Sequence, residues 1–128
     1  MTASRTNRNF RKDAFTLVEI MIVVGIIGIL AVMALPSAAK ARDNARLNAI
    51  YHNLRELQSA KEQWALANNK ANGEVVADVN VLQDYLRGGK IVDVISETYE
   101  PGPVGAVPNA LVPVAIGPYA AGESIPAP

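Results

Sequence analysis

One long apolar run dominates the pattern of hydrophobic and polar positions along the chain. It extends over residues 15–35, and its only polar side chains are those of Thr16 and Glu19. As an α-helix this run would be about 30 Å long, which matches the hydrocarbon core of a bilayer. Lipid favours a helix here because the backbone must satisfy its own hydrogen bonds. The run therefore predicts a transmembrane helix over residues 15–36.

Three residues are expected to soften this helix. Pro36 lacks a backbone N–H, so it removes one hydrogen bond and is expected to kink or loosen the preceding turn. Gly25 and Gly28 would let a second helix approach closely or let this helix bend. Together the three residues would allow the helix to melt partly when it leaves lipid. Ordinary membrane helices, in which glycine and proline are common, explain them equally well.

The pattern changes after Pro36. Residues 37–69 contain no proline or glycine and are rich in good helix formers. Apolar residues recur at alternating spacings of three and four, which is typical of one buried stripe on an amphipathic helix. The stripe consists of Leu47, Ile50, Leu54, Leu57, Ala60 and Trp64. We predict an amphipathic helix over residues 37–70, with a stop signal at Asn68, Asn69, Asn72 and Gly73.

Residues 71–128 are predicted to form a small, irregular head that contains β-structure. Asp78 is a candidate N-cap for a short helix over residues 79–86, and Gly88 and Gly89 would stop that helix. The predicted fold class is therefore α+β. A long N-terminal helix, with a transmembrane half and an amphipathic half, precedes the head.

The last third of the chain is predicted to hold short strands at most. Candidate strands cover residues 91–95, 96–100 and 111–116. The first of these three is the weakest candidate. Seven prolines follow Glu100, and proline at this density prevents long strands and helices. The last ten residues of this Pro-rich tail are expected to be mobile.

Charge is unevenly distributed, although the formal net charge is zero. Residues 1–14 carry four basic groups and one acidic group, without apolar periodicity, and are predicted to be disordered. A basic segment before an apolar run is typical of a membrane topology signal. The rest of the chain is mildly acidic, which argues against nucleic-acid binding. The chain has no cysteine, so disulfides and thiolate metal sites are excluded.

The sequence offers no constellation of catalytic residues. His52 is the only histidine, and it has no cysteine or paired carboxylate near it in the chain. Neither a nucleophile–base pair nor a phosphate-binding loop is recognisable. We therefore predict no catalytic residue, no metal ion, no cofactor and no enzymatic activity.

The segment around the start of the apolar run carries a family resemblance. Residues 11–24 read RKDAFTLVEIMIVV. This string closely resembles the prepilin cleavage and methylation signature of type IV pilins and type II secretion pseudopilins. In that family a basic leader ends in a small residue, and the string Phe-Thr-Leu-x-Glu and an apolar helix follow. The match covers about residues 11–42, including Pro36.

The resemblance implies processing and a role for one carboxylate. A membrane aspartyl peptidase on the cytoplasmic side would remove residues 1–14 by cutting between Ala14 and Phe15, and the new Phe15 terminus would be N-methylated. The family usually has glycine where this chain has Ala14. Glu19 of one subunit would neutralise the Phe15 amine of its neighbour during assembly. Such a pair sets axial register, because a misplaced copy leaves an unpaired charge in an apolar core.

A weaker resemblance, over residues 53–65 and 98–105, favours a type II secretion pseudopilin. It implies several partners: other copies of the chain, other pseudopilins, the prepilin peptidase, and an inner-membrane assembly platform with its ATPase. The chain would cross the bacterial inner membrane once, with the leader in the cytoplasm and the C-terminus in the periplasm. It would then enter a periplasmic or cell-surface filament. The calcium loop of some relatives is not carried over, because after Glu100 the only acidic side chain is that of Glu123.

Two alternatives remain open. The chain would also suit a surface type IV pilus, as a major or minor subunit. A second alternative is a signal-anchored periplasmic binding module that never polymerises. The filament hypothesis predicts that a Glu19→Ala variant is inserted and cleaved but not assembled, whereas the binding module would tolerate the change.

Overall fold

The structure is a computed structural model that describes residues 15–128. The predicted leader, residues 1–14, lies outside the described residues, and Ala14 with it. The chain divides into two compact units, Met1–Ser37 and Ala38–Pro128. Helix α1 and a small antiparallel sheet give the α+β class that the sequence predicts.

Helix α1 extends over Leu17–Ala67 without interruption. Pro36 lies inside this helix, and the kink or loosened turn expected there stays a prediction. Pro36 still removes one N–H from the ladder. The orphaned carbonyl is that of Val32, four residues earlier, whereas the Ser37 hydroxyl donates to the carbonyl of Ala34 at 3.1 Å.

The C-terminus of α1 closes in a Schellman arrangement. Asn69 has a φ of 52°, in the left-handed region that asparagine tolerates better than most residues. Lys70 N–H donates to the Ala65 carbonyl at 2.8 Å, and Asn69 N–H donates to the Leu66 carbonyl at 3.4 Å. The predicted stop signal is thus confirmed, and it acts through backbone conformation at Asn69.

The head begins with two short 3₁₀ helices, Val79–Tyr85 and Arg87–Gly89. The predicted cap is confirmed: Asp78 accepts a hydrogen bond from Asn80 N–H at 3.3 Å. The helix that it caps has 3₁₀ geometry. Leu86, in extended conformation, separates it from the second 3₁₀ helix, which contains the predicted glycine stop.

Three short strands form an antiparallel sheet in the order β1-β2-β3. They are β1 (Thr98–Glu100), β2 (Asn109–Leu111) and β3 (Ser124–Pro126). Thr98 faces Leu111 across the first pair, and Leu111 faces Ser124 across the second. The candidate strand over residues 96–100 is confirmed in its last three residues, whereas the one over residues 111–116 overlaps β2 only at Leu111.

Two expectations for the head are wrong. Residues 91–95 form no strand, because the N–H groups of Val94 and Ile95 donate to the carboxylate of Glu97 and are unavailable for a ladder. The last ten residues are not a free tail. They include β3, in which the side chain of Ile125 is fully buried. Strand pairing with β2 orders this segment despite Pro126 at the sheet edge.

The predicted stripe on α1 is the core of the head. Ile50, Leu54, Leu57 and Ala60 are fully buried. Leu47 and Trp64, at the two ends of the stripe, are partly buried against the same core. One part of the core joins Leu57 and Ala60 to the 3₁₀ segment and the Val104 loop, and another joins Ile50 and Leu54 to the sheet. Burial of each large aliphatic side chain contributes about 1.5–3 kcal/mol.

Candidate functional site

The first half of α1 presents an apolar surface on all sides. Its large aliphatic side chains between Leu17 and Leu35 are 47–76% exposed. Within an 18-residue window of this helix the mean hydropathy is 2.8, and none of the window is buried. Judged by length and composition, this is the one helix in the described part of the chain that would cross a membrane. Water disfavours a surface of this kind, so lipid or other protein must cover it.

The start of the helix is fixed by Thr16 and Glu19. The Thr16 hydroxyl accepts a hydrogen bond from the backbone N–H of Glu19 at 3.2 Å. Thr16 is therefore the N-cap, and Glu19 is the third helical residue. Threonine followed three residues later by glutamate is the capping-box pattern, so the sequence itself contains the signal for this helix start. A carboxylate in the first turn also interacts favourably with the helix dipole.

The other predicted site residues of this segment lie on its exposed surface. The side chain of Phe15, next to the predicted cleavage point, is 76% exposed. At Gly25 and Gly28 no atom lies within 4 Å of the position that a Cβ would take. The two glycines therefore leave open notches on the helix surface, which suits a second helix but does not require one.

The amphipathic half of α1 holds a buried cation that the sequence analysis missed. The side chain of Lys61 is fully buried, and its Nζ donates to the carbonyls of Pro101 at 2.7 Å and Ala106 at 2.5 Å. Burial lowers the pKa of Lys61, and nearby Glu62 opposes that shift. Lys61 lies four residues after Leu57, on the face of the stripe, and this spacing was the sequence signal that its side chain is buried. The ammonium fixes the loop between residues 101 and 106 on the helix.

A second buried group, the carboxylate of Glu97, joins β1 to the helix. It accepts hydrogen bonds from Val94 N–H, Ile95 N–H and the Tyr99 hydroxyl, at 2.6–3.0 Å. The Tyr99 hydroxyl in turn accepts from Asn53 Nδ2, on α1, at 2.8 Å. Burial alone would raise the pKa of Glu97, but these hydrogen bonds outweigh it, and the pKa is lowered. Burial raises the pKa of the Tyr99 hydroxyl, and the hydrogen bond to the Glu97 carboxylate raises it further.

His52 lies at an open groove of about 370 Å³ between α1 and the 3₁₀ segment. The groove is also lined by Arg55, Glu56, Ser59, Gln63, Tyr85 and Arg87. Glu56 is engaged there, since it accepts a hydrogen bond from Arg87 N–H at 2.7 Å. Over residues 15–128, no three histidine or acidic side chains lie together in a way that would hold a metal ion.

Comparison with known proteins bears on the same N-terminal segment. A family model described as the prokaryotic N-terminal methylation motif matches residues 9–35. That range contains Ala14, Phe15, Glu19 and both glycines, and it ends just before Pro36. Over this N-terminal segment the chain is therefore similar to proteins that carry the methylation motif. The apolar helix together with this motif is consistent with membrane anchoring.

Two curated relatives are similar to part of the chain. Fimbrial protein EcpB of Eikenella corrodens is 40% identical over 53 residues, which is 41% of this chain and 33% of the relative. Type IV major pilin protein PilA of Myxococcus xanthus (strain DK1622) is 41% identical over 64 residues, which is 50% of this chain and 28% of the relative. The matched region thus spans about a third of the length of each relative. No solved structure matches the chain significantly.

Proposed function

We propose that the chain is a structural subunit of an extracytoplasmic filament, assembled through the first half of α1, and that it is not an enzyme. One observation carries the proposal: an apolar helical surface, 47–76% exposed at its large side chains, holds a single carboxylate, that of Glu19. A bundle of identical helices would cover this surface as lipid does. It would then have to accommodate Glu19, because a carboxylate in an apolar core needs a cation.

The cation in this proposal is made by processing. Removal of residues 1–14 between Ala14 and Phe15 leaves an ammonium group four residues before Glu19. Within one helix these two groups lie at the same end, so the amine of one copy meets Glu19 of the next only in one axial register. N-methylation of Phe15 keeps the positive charge. The leader stays in the cytoplasm and the head enters the periplasm. The prepilin peptidase, the platform protein and the ATPase then act on the subunit in turn.

A melted turn would help the subunit leave the bilayer. Gly25, Gly28 and Pro36 are the residues of α1 where helix stability is lowest. In this proposal they let the helix lengthen or bend while it moves from lipid to the filament core. The observed helix is continuous at all three positions, so melting would belong to the assembled state.

Among filament classes we propose a type II secretion pseudopilus, which the absence of cysteine and the run from Lys61 to Trp64 support. A surface type IV pilus is the second candidate, and the printed names of the two relatives favour it. Deletion of the gene separates the two. A pseudopilin mutant loses secretion of an exported enzyme and keeps its surface fibres, whereas a pilin mutant loses the fibres.

The charge pairing is tested with a Glu19→Gln variant of the full chain in its host. We expect the variant to be inserted and cleaved, with a methylated Phe15 terminus by mass spectrometry, but to form no sedimentable filament. Asp84→Asn removes an exposed carboxylate from the head and is the matched control, which should assemble normally. Normal filaments from Glu19→Gln would refute the pairing, and an intact Met1 terminus would remove its cation.

A further inference from the structure

Two basic side chains follow the apolar half of α1 almost at once. Lys40 and Arg42 lie five and seven residues after Leu35, and both are exposed. In the part of the chain that the structure describes, neither makes an ion pair, whereas Arg46 and Asp43 form one at 3.8 Å. Lys40 and Arg42 therefore leave two uncompensated positive charges next to the apolar run.

The surroundings of these two side chains keep them available. Ala38, Ala39 and Ala41 are small, and Asp43, the acidic neighbour of Arg42, pairs with Arg46 instead. The chain also limits how far they stand from the apolar run. Five and seven residues reach at most about 18 and 25 Å when fully extended, and less than half of that when helical. Whenever Leu35 is at the edge of a bilayer, Lys40 and Arg42 are within reach of the headgroups.

Membrane orientation does not account for the two residues. The topology signal is an excess of Lys and Arg on the cytoplasmic side, and residues 1–14 supply it with four basic groups. Lys40 and Arg42 lie on the opposite side of the apolar run, where basic groups oppose that signal. After removal of the leader they would be the basic side chains nearest to the membrane. Their placement therefore indicates a different role at the membrane surface.

We propose that Lys40 and Arg42 bind the phosphate groups of anionic lipids at the face of the membrane from which the head emerges. The inference rests on the proposed membrane insertion of the first half of α1. Guanidinium and ammonium groups on flexible stems suit phosphodiester oxygens, and the stems can lie along the acyl chains while the charges stay at the headgroups. The contact holds the processed subunit in the bilayer until assembly withdraws it. Each charge favours an anionic lipid about fivefold.

The test uses the full chain, whose lack of cysteine permits a unique label at Ala41→Cys. The labelled protein is reconstituted into phosphatidylcholine vesicles that contain 30% phosphatidylglycerol. Energy transfer to acceptor-labelled lipids of each kind measures the relative affinity of the protein for the anionic lipid. We expect a preference on the order of tenfold or more at low salt, which falls steeply towards 0.5 M NaCl.

Two double variants decide the origin of the preference. Lys40→Gln/Arg42→Gln should abolish it, and the remaining Arg46–Asp43 pair is neutral. Arg87→Gln/Lys90→Gln removes the same two charge types from exposed positions in the head and should leave the preference intact. An unchanged preference in the first variant, or an equal loss in both, would overturn the proposal.

Three further outcomes are kept distinct. Inorganic phosphate that removes the preference at constant ionic strength would indicate a discrete phosphate site and overturn lipid binding. Loss of self-association in Lys40→Gln/Arg42→Gln, without a lipid preference in the parent chain, would assign the two charges to a contact between copies. If the parent chain fails to float with vesicles of neutral lipid after an alkaline wash, membrane insertion and the proposed function fail, whatever the charges do.

Discussion

The two halves of α1 are built from similar aliphatic side chains but have opposite surroundings. Between Leu17 and Leu35 the large side chains are 47–76% exposed, whereas Ile50, Leu54 and Leu57 are completely buried. The sequence already separates the two cases. The first half is apolar on every side, while the second confines its apolar residues to one stripe and places charged groups on the other face.

The difference shows where each half obtains its stabilisation. The stripe of the second half is covered by the 3₁₀ segment, the loops and the sheet of the same chain. The first half has an apolar surface too wide for any single covering layer, and its stabilisation must come from lipid or from other protein. A substitution in the second half should therefore change the stability of the head, and one in the first half should change insertion or assembly.

The strongest test of this division compares two leucines on the same helix. Leu54→Ala removes a fully buried side chain and should lower the free energy of unfolding by about 2–5 kcal/mol. Leu30→Ala, at a position that is 61% exposed, should change it by less than about 0.5 kcal/mol. Guanidinium denaturation of the full chain in detergent micelles, followed by the fluorescence of Trp64, measures both. Similar losses at the two positions would contradict the division.

The buried cation provides the next largest effect. Lys61→Ala removes a buried stem and leaves the carbonyls of Pro101 and Ala106 without their donor, so we expect a loss of about 2–4 kcal/mol. Lys61→Met keeps the apolar stem and loses only the ammonium, and it should recover at least half of that loss. The same denaturation experiment checks both variants. If Met is no better than Ala, the hydrogen bonds outweigh the packing of the stem.

Acid should weaken the head through Glu97. Its pKa is lower in the folded chain than in the unfolded chain, so its contribution is fully present above about pH 5 and is lost as the pH falls through the folded value. Glu97→Gln should cost about 1–3 kcal/mol at neutral pH, because a neutral amide replaces the carboxylate that accepts from Val94, Ile95 and Tyr99. Denaturation at stepped pH should show the difference between parent and variant shrinking in acid. A difference independent of pH would show that the charge is not what matters.

The local features of the chain were predictable because their causes are local. The 3.6-residue period gave the stripe, and single residues such as Asp78 and Asn69 gave a cap and a stop that the structure confirms. The N-cap role of Thr16 could equally have been predicted from its spacing to Glu19. These signals depend on side chains within four positions of one another along the backbone.

The remaining features depend on contacts that are distant in sequence. Lys61 meets the carbonyl of Pro101 forty residues later, so its place beside the stripe indicates burial but does not reveal what its ammonium binds. Ile125 is buried because β3 pairs with β2, although proline density around it indicated a free tail. The continuity of α1 at Pro36 likewise overrides a local preference. The proposed Glu19 pairing would add a further level, because its partner would belong to another copy.

The smallest expected effect concerns Asn69, which lies two residues after the last residue of α1 and closes its C-terminal end. Asn69 has a φ of 52°, where a Cβ without a compensating polar side chain is disfavoured. Asn69→Ala should therefore cost about 1 kcal/mol. Asn69→Gly should stay within about 0.5 kcal/mol of the parent, because glycine tolerates this φ but loses more entropy on folding. Chemical denaturation of the parent chain and the two variants, measured together, resolves the difference in stability between alanine and glycine at this position. Equal values for alanine and glycine would mean that the end of the helix is set by packing around Ala65 and Trp64, and that the backbone conformation at Asn69 follows from it.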